Sequence, residues 1–416
     1  MTNLPAILGG TPAFAKPLPF IRPTLPPSGP LEAVTREILG NGQLTKGRYL
    51  QAFERAVAEH LGVKHAVGVS SCTSGLILTY QALGLKGEVI VPSFTFMATV
   101  SALVWAGATP VFVDVDEATG TIDPAAFERA ITPRTEAIVA VHTFGNPADI
   151  DELENIARMH HLKLVFDAAH GFGATYQGAP IGGQGDANIF SLSPTKLLVA
   201  GEGGIVATND DALAEHVRLG REYGNDGSYD SRFAGLNARM SEFNAALGLE
   251  SLKILESVAA THNRIADSYR MLLSSVRGIR PMTVREGNRC SYKDFSLVVS
   301  PEVFGLTRDQ LADALKAENI DTRKYYWPPV HRQTAYIGFA SDDAALPHTN
   351  DLADNSLSLP IGSAVDDASV IAICRAIARI HESAAAIRER FEASPAAPNR
   401  SSRPRPAAAI AAACQS

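Results

Sequence analysis

The chain has 416 residues, of which 46% are hydrophobic and 19% charged, with a net charge of −7. That length exceeds one small core and allows two or three domains, or one large domain with a smaller lobe. The acidic balance leaves no electrostatic footprint for nucleic acid or an anionic membrane, and no stretch has the apolar continuity of a membrane span. The opening stretch, "MTNLPAILGGTPAFAKPLPF", lacks a charged segment followed by a clean apolar core, so no secretion signal is expected and the reading is cytoplasmic. Cys72, Cys290, Cys374 and Cys414 are scattered without CxxC spacing, which predicts reduced thiols and no metal site.

Residues 1–30 are rich in proline and glycine and read as an N-terminal arm. "SGPLEAVTREILGNG" predicts a helix with Ser28 as its cap, and "RYLQAFERAVAEHLG" a second helix ending at Gly62. Short β-branched runs follow: "HAVGVS", "EVIVPS", "TPVFVDV", "AIVAVHTFG", "LKLVFDAAH", "ANIFSLS" and "GGIVATND". Many alternate with helical segments such as "FMATVSALVWAG" and "DIDELENIARMHH". Apolar strands with intervening helices predict an α/β fold with a large, mostly parallel sheet covered on both faces. Ligands of such sheets bind beyond the carboxyl ends of the strands.

"RMSEFNAALGLESLKILESVAA" predicts a helix that closes a large domain over residues 31–260. Residues 261–391 read as a smaller α+β lobe, with "DFSLVVS", a helix over "RDQLADALKAEN" and one closing helix, "DASVIAICRAIARIHESAAAIRERF". The tail from 392 to 416 is too low in complexity to build a core and is expected to be disordered.

Three strand ends carry chemistry. "SSCTSG" follows a strand and opens a helix, so it serves either as a plain cap or as a phosphate seat of hydroxyls and free N–H groups. Asp167 ends an apolar strand, where a carboxylate needs a partner: a helix cap or a cationic heterocycle. His170 lies three residues on and can face the same ligand. Lys196, in "SLSPTK", has its glycines after it, which excludes a GxxxxGK[ST] phosphate loop, and "GEGG" precedes a strand, which excludes a dinucleotide fingerprint. A surface lysine or a Schiff-base lysine remains. Pyridoxal 5′-phosphate requires this combination: donors for its phosphate, an acid for its ring nitrogen and a lysine for its aldehyde.

The chain also resembles the DegT/DnrJ/EryC1/StrS sugar aminotransferases. The resemblance runs from about residue 18 to 380 and rests on "NGQLTKG", "SSCTSGL", "VPSFTFMATVSALVWAGATPVFVDVD", "VHTFGNPADID", "DAAHGFGATYQG", "SPTKLLVAGEGG", "GLNARMSEFNAALGLESL" and "RKYYWPPVH". It implies the aspartate-aminotransferase fold, fold type I. Lys196 is then the Schiff-base lysine and proton carrier, Asp167 the partner of the pyridine nitrogen, and His170 a neighbour of the ring's phenolic oxygen. Phe96 stacks on the ring, and Thr73, Ser74 and Ser191 hold the phosphate. Asn237 reaches the phosphate in a neighbouring subunit, which implies a homodimer with shared sites. Thr45, Tyr326 and His331 border a sugar-nucleotide cleft.

Two positions depart from the family pattern: Leu197 stands where asparagine is common, and Cys72 where glycine is common. A branch that replaces the lysine with histidine carries out dehydration, and Lys196 argues against it here. The expected activity is transfer of an amino group from L-glutamate to the keto group of a nucleotide-linked deoxyhexose. The alternatives are a glutamine-dependent aminocyclitol aminotransferase, a non-enzymatic regulator and a dehydrogenase. The absence of a helix-turn-helix signature and of a dinucleotide fingerprint weighs against the last two.

Overall fold

The computed structural model describes residues 4–339 and 343–393. Helices α1 (Ser28–Asn41) and α2 (Arg48–Leu61) lead into β1 (His65–Val69), α3 (Cys72–Ala82), β2 (Glu88–Pro92), α4 (Met97–Ala106) and β3 (Thr109–Val113). Then come α5 (Pro124–Arg129), β4 (Thr135–Val141), α6 (Ile150–Met159) and β5 (Lys163–Asp167). A short ribbon of β6 (Thr175–Tyr176) and β7 (Ala179–Pro180) precedes β8 (Ala187–Ser191), β9 (Gly204–Thr208) and α7 (Asp211–Gly220). Gly62 ends α2 as expected, in the left-handed conformation at φ 68°. Ser28 is not the cap of α1: Pro27 holds that place, and the Ser28 hydroxyl turns to Glu32 instead.

The large sheet has the order β1-β9-β8-β5-β4-β2-β3. Its pairings are parallel except those of β9, which runs antiparallel to both β1 and β8. The exception has a local cause. No helix lies between β8 and β9, and a parallel return needs a long crossover. Alternate side chains of each central strand enter two cores on opposite faces. Ile138 and Ala140 meet Phe53, Val57, Leu153 and Ile156 on one face. Ala137 and Val139 meet Leu76, Val100, Leu103 and Val217 on the other.

Helix α8 (Glu242–Leu273) runs unbroken across residue 260. Its first half contributes Ala245, Leu255 and Val258 to the large-sheet core. Its second half contributes Ile265, Tyr269 and Leu273 to a separate core. That core lies on a three-stranded antiparallel sheet of β10 (Ile279–Pro281), β11 (Phe295–Val299) and β12 (Ser356–Leu359). Helices α9 (Pro301–Phe304), α10 (Arg308–Ala317), α11 (Pro347–Asn355), α12 (Asp367–Glu382) and α13 (Ala384–Ala393) complete the lobe. The single closing helix expected from the sequence is therefore two, parted at Ser383. Glu392 and Ala393, assigned from the sequence to a disordered tail, are the last turn of α13, and residues 394–416 lie outside the described residues.

The N-terminal arm is tied to this lobe. Buried Glu318 accepts the Ala6 and Ala13 N–H groups, each at 2.8 Å, and pairs with Arg379 at 3.0 Å. Cys72, Cys290 and Cys374 carry free thiols. Among the described residues no helix is long and apolar enough to cross a membrane, and no cluster of His, Cys, Asp and Glu is arranged for a metal ion.

Candidate active site

The carboxyl ends of β4, β5 and β8 and the start of α3 border a cavity of about 310 Å³. At the end of β1 the chain turns at Ser71, which caps α3 in a reciprocal box. Its hydroxyl accepts from the Ser74 N–H, and the Ser74 hydroxyl accepts from the Ser71 N–H, both at 3.1 Å. Ser74, expected at a phosphate, is thus engaged in the cap, and Ser71, Cys72 and Thr73 form the cavity wall. The Cys72 and Thr73 N–H groups remain at the positive end of the helix dipole, where an anion is favoured. Gly204 opens β9 against this turn. A Cβ there would lie 2.6 Å from the Cys72 nitrogen, so only glycine permits the approach.

Asp167 ends β5 in the cavity wall and is 5% exposed. It accepts the Thr99 hydroxyl at 2.7 Å and the Ala169 N–H at 3.0 Å. Among the described residues no lysine or arginine comes within ion-pair distance of it. Burial pushes its pKa up, against the pull of those two hydrogen bonds and of the Lys196 charge. A buried carboxylate held this way is suited to a cationic partner arriving from the cavity.

Lys196 follows β8 in a turn held by its own N–H to the Ser193 carbonyl at 3.0 Å. Burial lowers its amine to about 8, helped by the neighbouring charge of Lys293. An amine so placed is a nucleophile and a proton carrier near neutral pH. His170 is held well below its ordinary pKa by burial and by the charges of Lys196 and Lys293, so its imidazole is neutral. Ser191 and Phe96 also line the cavity, Phe96 with 52% of its surface exposed. From the small lobe come Tyr325 and Tyr326, the latter stacked on Phe144 at 5.3 Å.

Of the residues singled out in the sequence, Thr73, Phe96, Asp167, His170, Ser191, Lys196 and Tyr326 meet here. Four others do not line the cavity, Ser74 in the cap of α3 among them. His331 is buried between the Ser93 hydroxyl at 2.6 Å and Asp343 at 2.7 Å. Thr45 forms a backbone bridge to Ser241. Asn237 bridges to Glu222 with its side chain exposed. Leu197 points the other way from the site, into the core, where its Cδ2 lies 3.2 Å from the position of a Cβ on Gly173.

Sequence reasoning missed Thr99, which supports Asp167, although a hydroxyl in the first turn after "SFTF" was its signal. It also missed Lys293 and Asp294 in "YKDF", two adjacent charges at the start of an apolar strand. Such a pair reads as a solvated edge until the fold is known.

A desolvated lysine and a buried carboxylate at the strand ends of an α/β scaffold mark this cavity as the candidate active site. The chain belongs to the DegT/DnrJ/EryC1/StrS aminotransferase family, whose sequence profile matches residues 31–378. It is 37% identical over 350 residues to the dTDP-3-amino-3,4,6-trideoxy-alpha-D-glucose transaminase of Streptomyces venezuelae, covering 83% of this chain and 90% of that one. It is 39% identical over 335 residues to the erythromycin biosynthesis sensory transduction protein EryC1 of Saccharopolyspora erythraea, covering 80% and 90%. Among solved structures, DesI in the presence of its TDP-sugar product superposes with a TM-score of 0.85 at 38% identity, covering 93% of this chain and 98% of that one.

Proposed function

We propose that this chain is a pyridoxal-phosphate-dependent aminotransferase of amino-sugar biosynthesis. It moves an amino group from L-glutamate to the keto group of a nucleotide-linked deoxyhexose. One observation carries the reading: a desolvated lysine, a buried carboxylate without a cationic partner among the described residues, and a capped helix N-terminus face one cavity.

The donor set fits the cofactor. The start of α3 with Thr73, and Ser191 from β8, would hold its phosphate, and Asp167 its ring nitrogen. Phe96 and His170 would border the ring, and Lys196 would hold the aldehyde carbon. When bound, the cofactor supplies an electron sink for the carbanion that transamination creates. The chain's residues supply the rest. Lys196 Nζ moves the proton at the donor's α-carbon in one half-reaction and at the aminated sugar carbon in the other. Asp167, fixed by Thr99 and Ala169, keeps the proton on the ring nitrogen. Neutral His170 offers a hydrogen-bonding nitrogen without adding charge. The exposed Asn237 side chain is available to a second subunit, in keeping with a homodimer that shares its sites. The names of the transaminase relative and of DesI with its TDP-sugar product support the substrate class.

The test is a panel of nucleotide-linked ketohexoses with L-glutamate, read by mass spectrometry. An aminated nucleotide sugar supports the proposal. Product only from a cyclitol ketone with L-glutamine replaces it with the aminocyclitol reading. A protein without cofactor absorbance that binds DNA replaces it with the regulatory one.

A further inference from the structure

Lys293 and Asp294 line the same cavity, brought there from the small lobe. Both are buried, at 5% and 2% exposure. Lys293 Nζ contacts both carboxylate oxygens of Asp294, at 2.9 and 3.0 Å, and stands 5.3 Å from the centre of the Tyr325 ring. The segment that carries the pair is bolted to the large domain. Lys293 N–H donates to the Phe144 carbonyl at 3.1 Å, and Ser291 N–H to the Gly145 carbonyl at 3.1 Å. The Ser291 hydroxyl donates to the His170 carbonyl at 2.7 Å. Gly145 makes the approach possible: its φ is +87°, and a Cβ there would lie 1.8 Å from the Ser291 Oγ.

A buried lysine needs a reason to be in a cavity. Nζ has three N–H donors, and Asp294 engages at most two, so one remains for a ligand. Among the described residues that line the cavity, the basic side chains are Lys196, Lys293, His142 and His170. Burial holds both imidazoles neutral, His142 at about 3 and His170 well below its ordinary value. With Lys196 given to the cofactor, Lys293 is the cation left in this wall.

We propose that Lys293, held in place by Asp294, binds the α-carboxylate of the amino-acid donor and so sets donor specificity. The inference rests on the aminotransferase reading above and names a group that reading leaves out. Chemistry chooses this anion over the diphosphate of the sugar substrate. The α-carboxylate is attached to the carbon that bears the reacting nitrogen, whereas the diphosphate lies a sugar ring away from the reacting carbonyl. Lys293 and Lys196 line the same cavity, and the segment that carries Lys293 is tied to the His170 and Phe144 carbonyls.

The experiment uses the cofactor-loaded enzyme with L-glutamate and with its α-amide, following the change in cofactor absorbance in the donor half-reaction. Wild-type protein is expected to prefer L-glutamate. Lys293→Gln is expected to weaken the half-saturation for L-glutamate on the order of 10- to 100-fold, the loss of one charge-assisted hydrogen bond, and to abolish the preference over the amide. Lys293→Arg is expected to retain the preference. Lys293→Gln with Asp294→Asn, which leaves no unpaired carboxylate behind, carries the same expectation as Lys293→Gln. The KM for the nucleotide-ketohexose is expected to stay within about 3-fold. If loaded Lys293→Gln keeps both its affinity for L-glutamate and its preference, or if only the sugar KM rises, the assignment is overturned. If wild-type protein shows no absorbance change with any amino acid, the aminotransferase reading itself fails.

Discussion

Asp167 and Glu242 are almost equally withdrawn from water, at 5% and 2% exposure, yet they are used in opposite ways. Glu242 receives three backbone N–H groups at the start of α2. Those of Gly47 and Leu50 reach Oε1 at 2.9 and 3.1 Å, and that of Tyr49 reaches Oε2 at 2.9 Å. Three of its four acceptor sites are taken up in closing a helix end and tying α2 to α8. Asp167 has one N–H and one hydroxyl, and it sits in a cavity wall with capacity left. Burial alone therefore does not mark a functional carboxylate. Incomplete satisfaction beside a cavity is what the role proposed for Asp167 rests on.

The sharpest tests act on the unsatisfied side of this pair. Lys196→Ala is expected to remove the cofactor's lysine-bound absorbance and to lower turnover by at least ~10⁴-fold, since one group serves as both nucleophile and proton carrier. A near-normal turnover would take the site away from this cavity. Asp167→Asn is expected to lower turnover on the order of 10²- to 10³-fold, as for loss of a preorganised charge. It should leave the thermal midpoint of the cofactor-free protein unchanged or raised, because an uncompensated buried charge is removed.

Glu242→Ala is the counterpart. Three N–H groups lose their acceptor, and urea unfolding should report a loss of about 2–4 kcal/mol. If Asp167→Asn destabilises the cofactor-free protein as much as Glu242→Ala does, the contrast between the two carboxylates collapses. Leu197→Asn, which installs the residue common in relatives, should cost about 2–3 kcal/mol, because the amide would be buried against Gly173 and α8.

The smallest effect is one of pH. Only the neutral amine captures an added aldehyde, and burial lowers Lys196 from 10.5 to about 8. The rate at which cofactor-free protein takes up pyridoxal phosphate should rise with pH and level off above about 8. A rise that continues past 10 would place Lys196 in water.

The strand ends were legible because their signals are local. An apolar run with a charged residue at its end, as in "LKLVFD", states both a strand and an anomaly in five or six residues. The antiparallel β9 was less legible, since its direction depends on the lack of a helix after β8 and on its pairing with distant β1. Leu197 shows the limit in another form. Beside Lys196 in sequence, it stood out as a departure from the family pattern near the site, but it faces the core. Adjacent residues in a turn point in different directions, and the turn's path belongs to the fold. Ser74 likewise read as a phosphate donor, and the capping box engages its hydroxyl locally.

By itself, then, the sequence determined the kinds of group available and their order along the chain: a helix-opening hydroxyl turn, a carboxylate at a strand end and a lysine after another strand. These follow from side-chain chemistry and short-range periodicity, which need no knowledge of distant contacts. The tertiary structure decided which groups share one cavity, which carboxylates are already satisfied, and that a lysine from the second lobe lines the same cavity as Lys196. Burial, and with it pKa and unspent hydrogen-bonding capacity, is a property of what packs around a group. No local stretch of sequence contains that information.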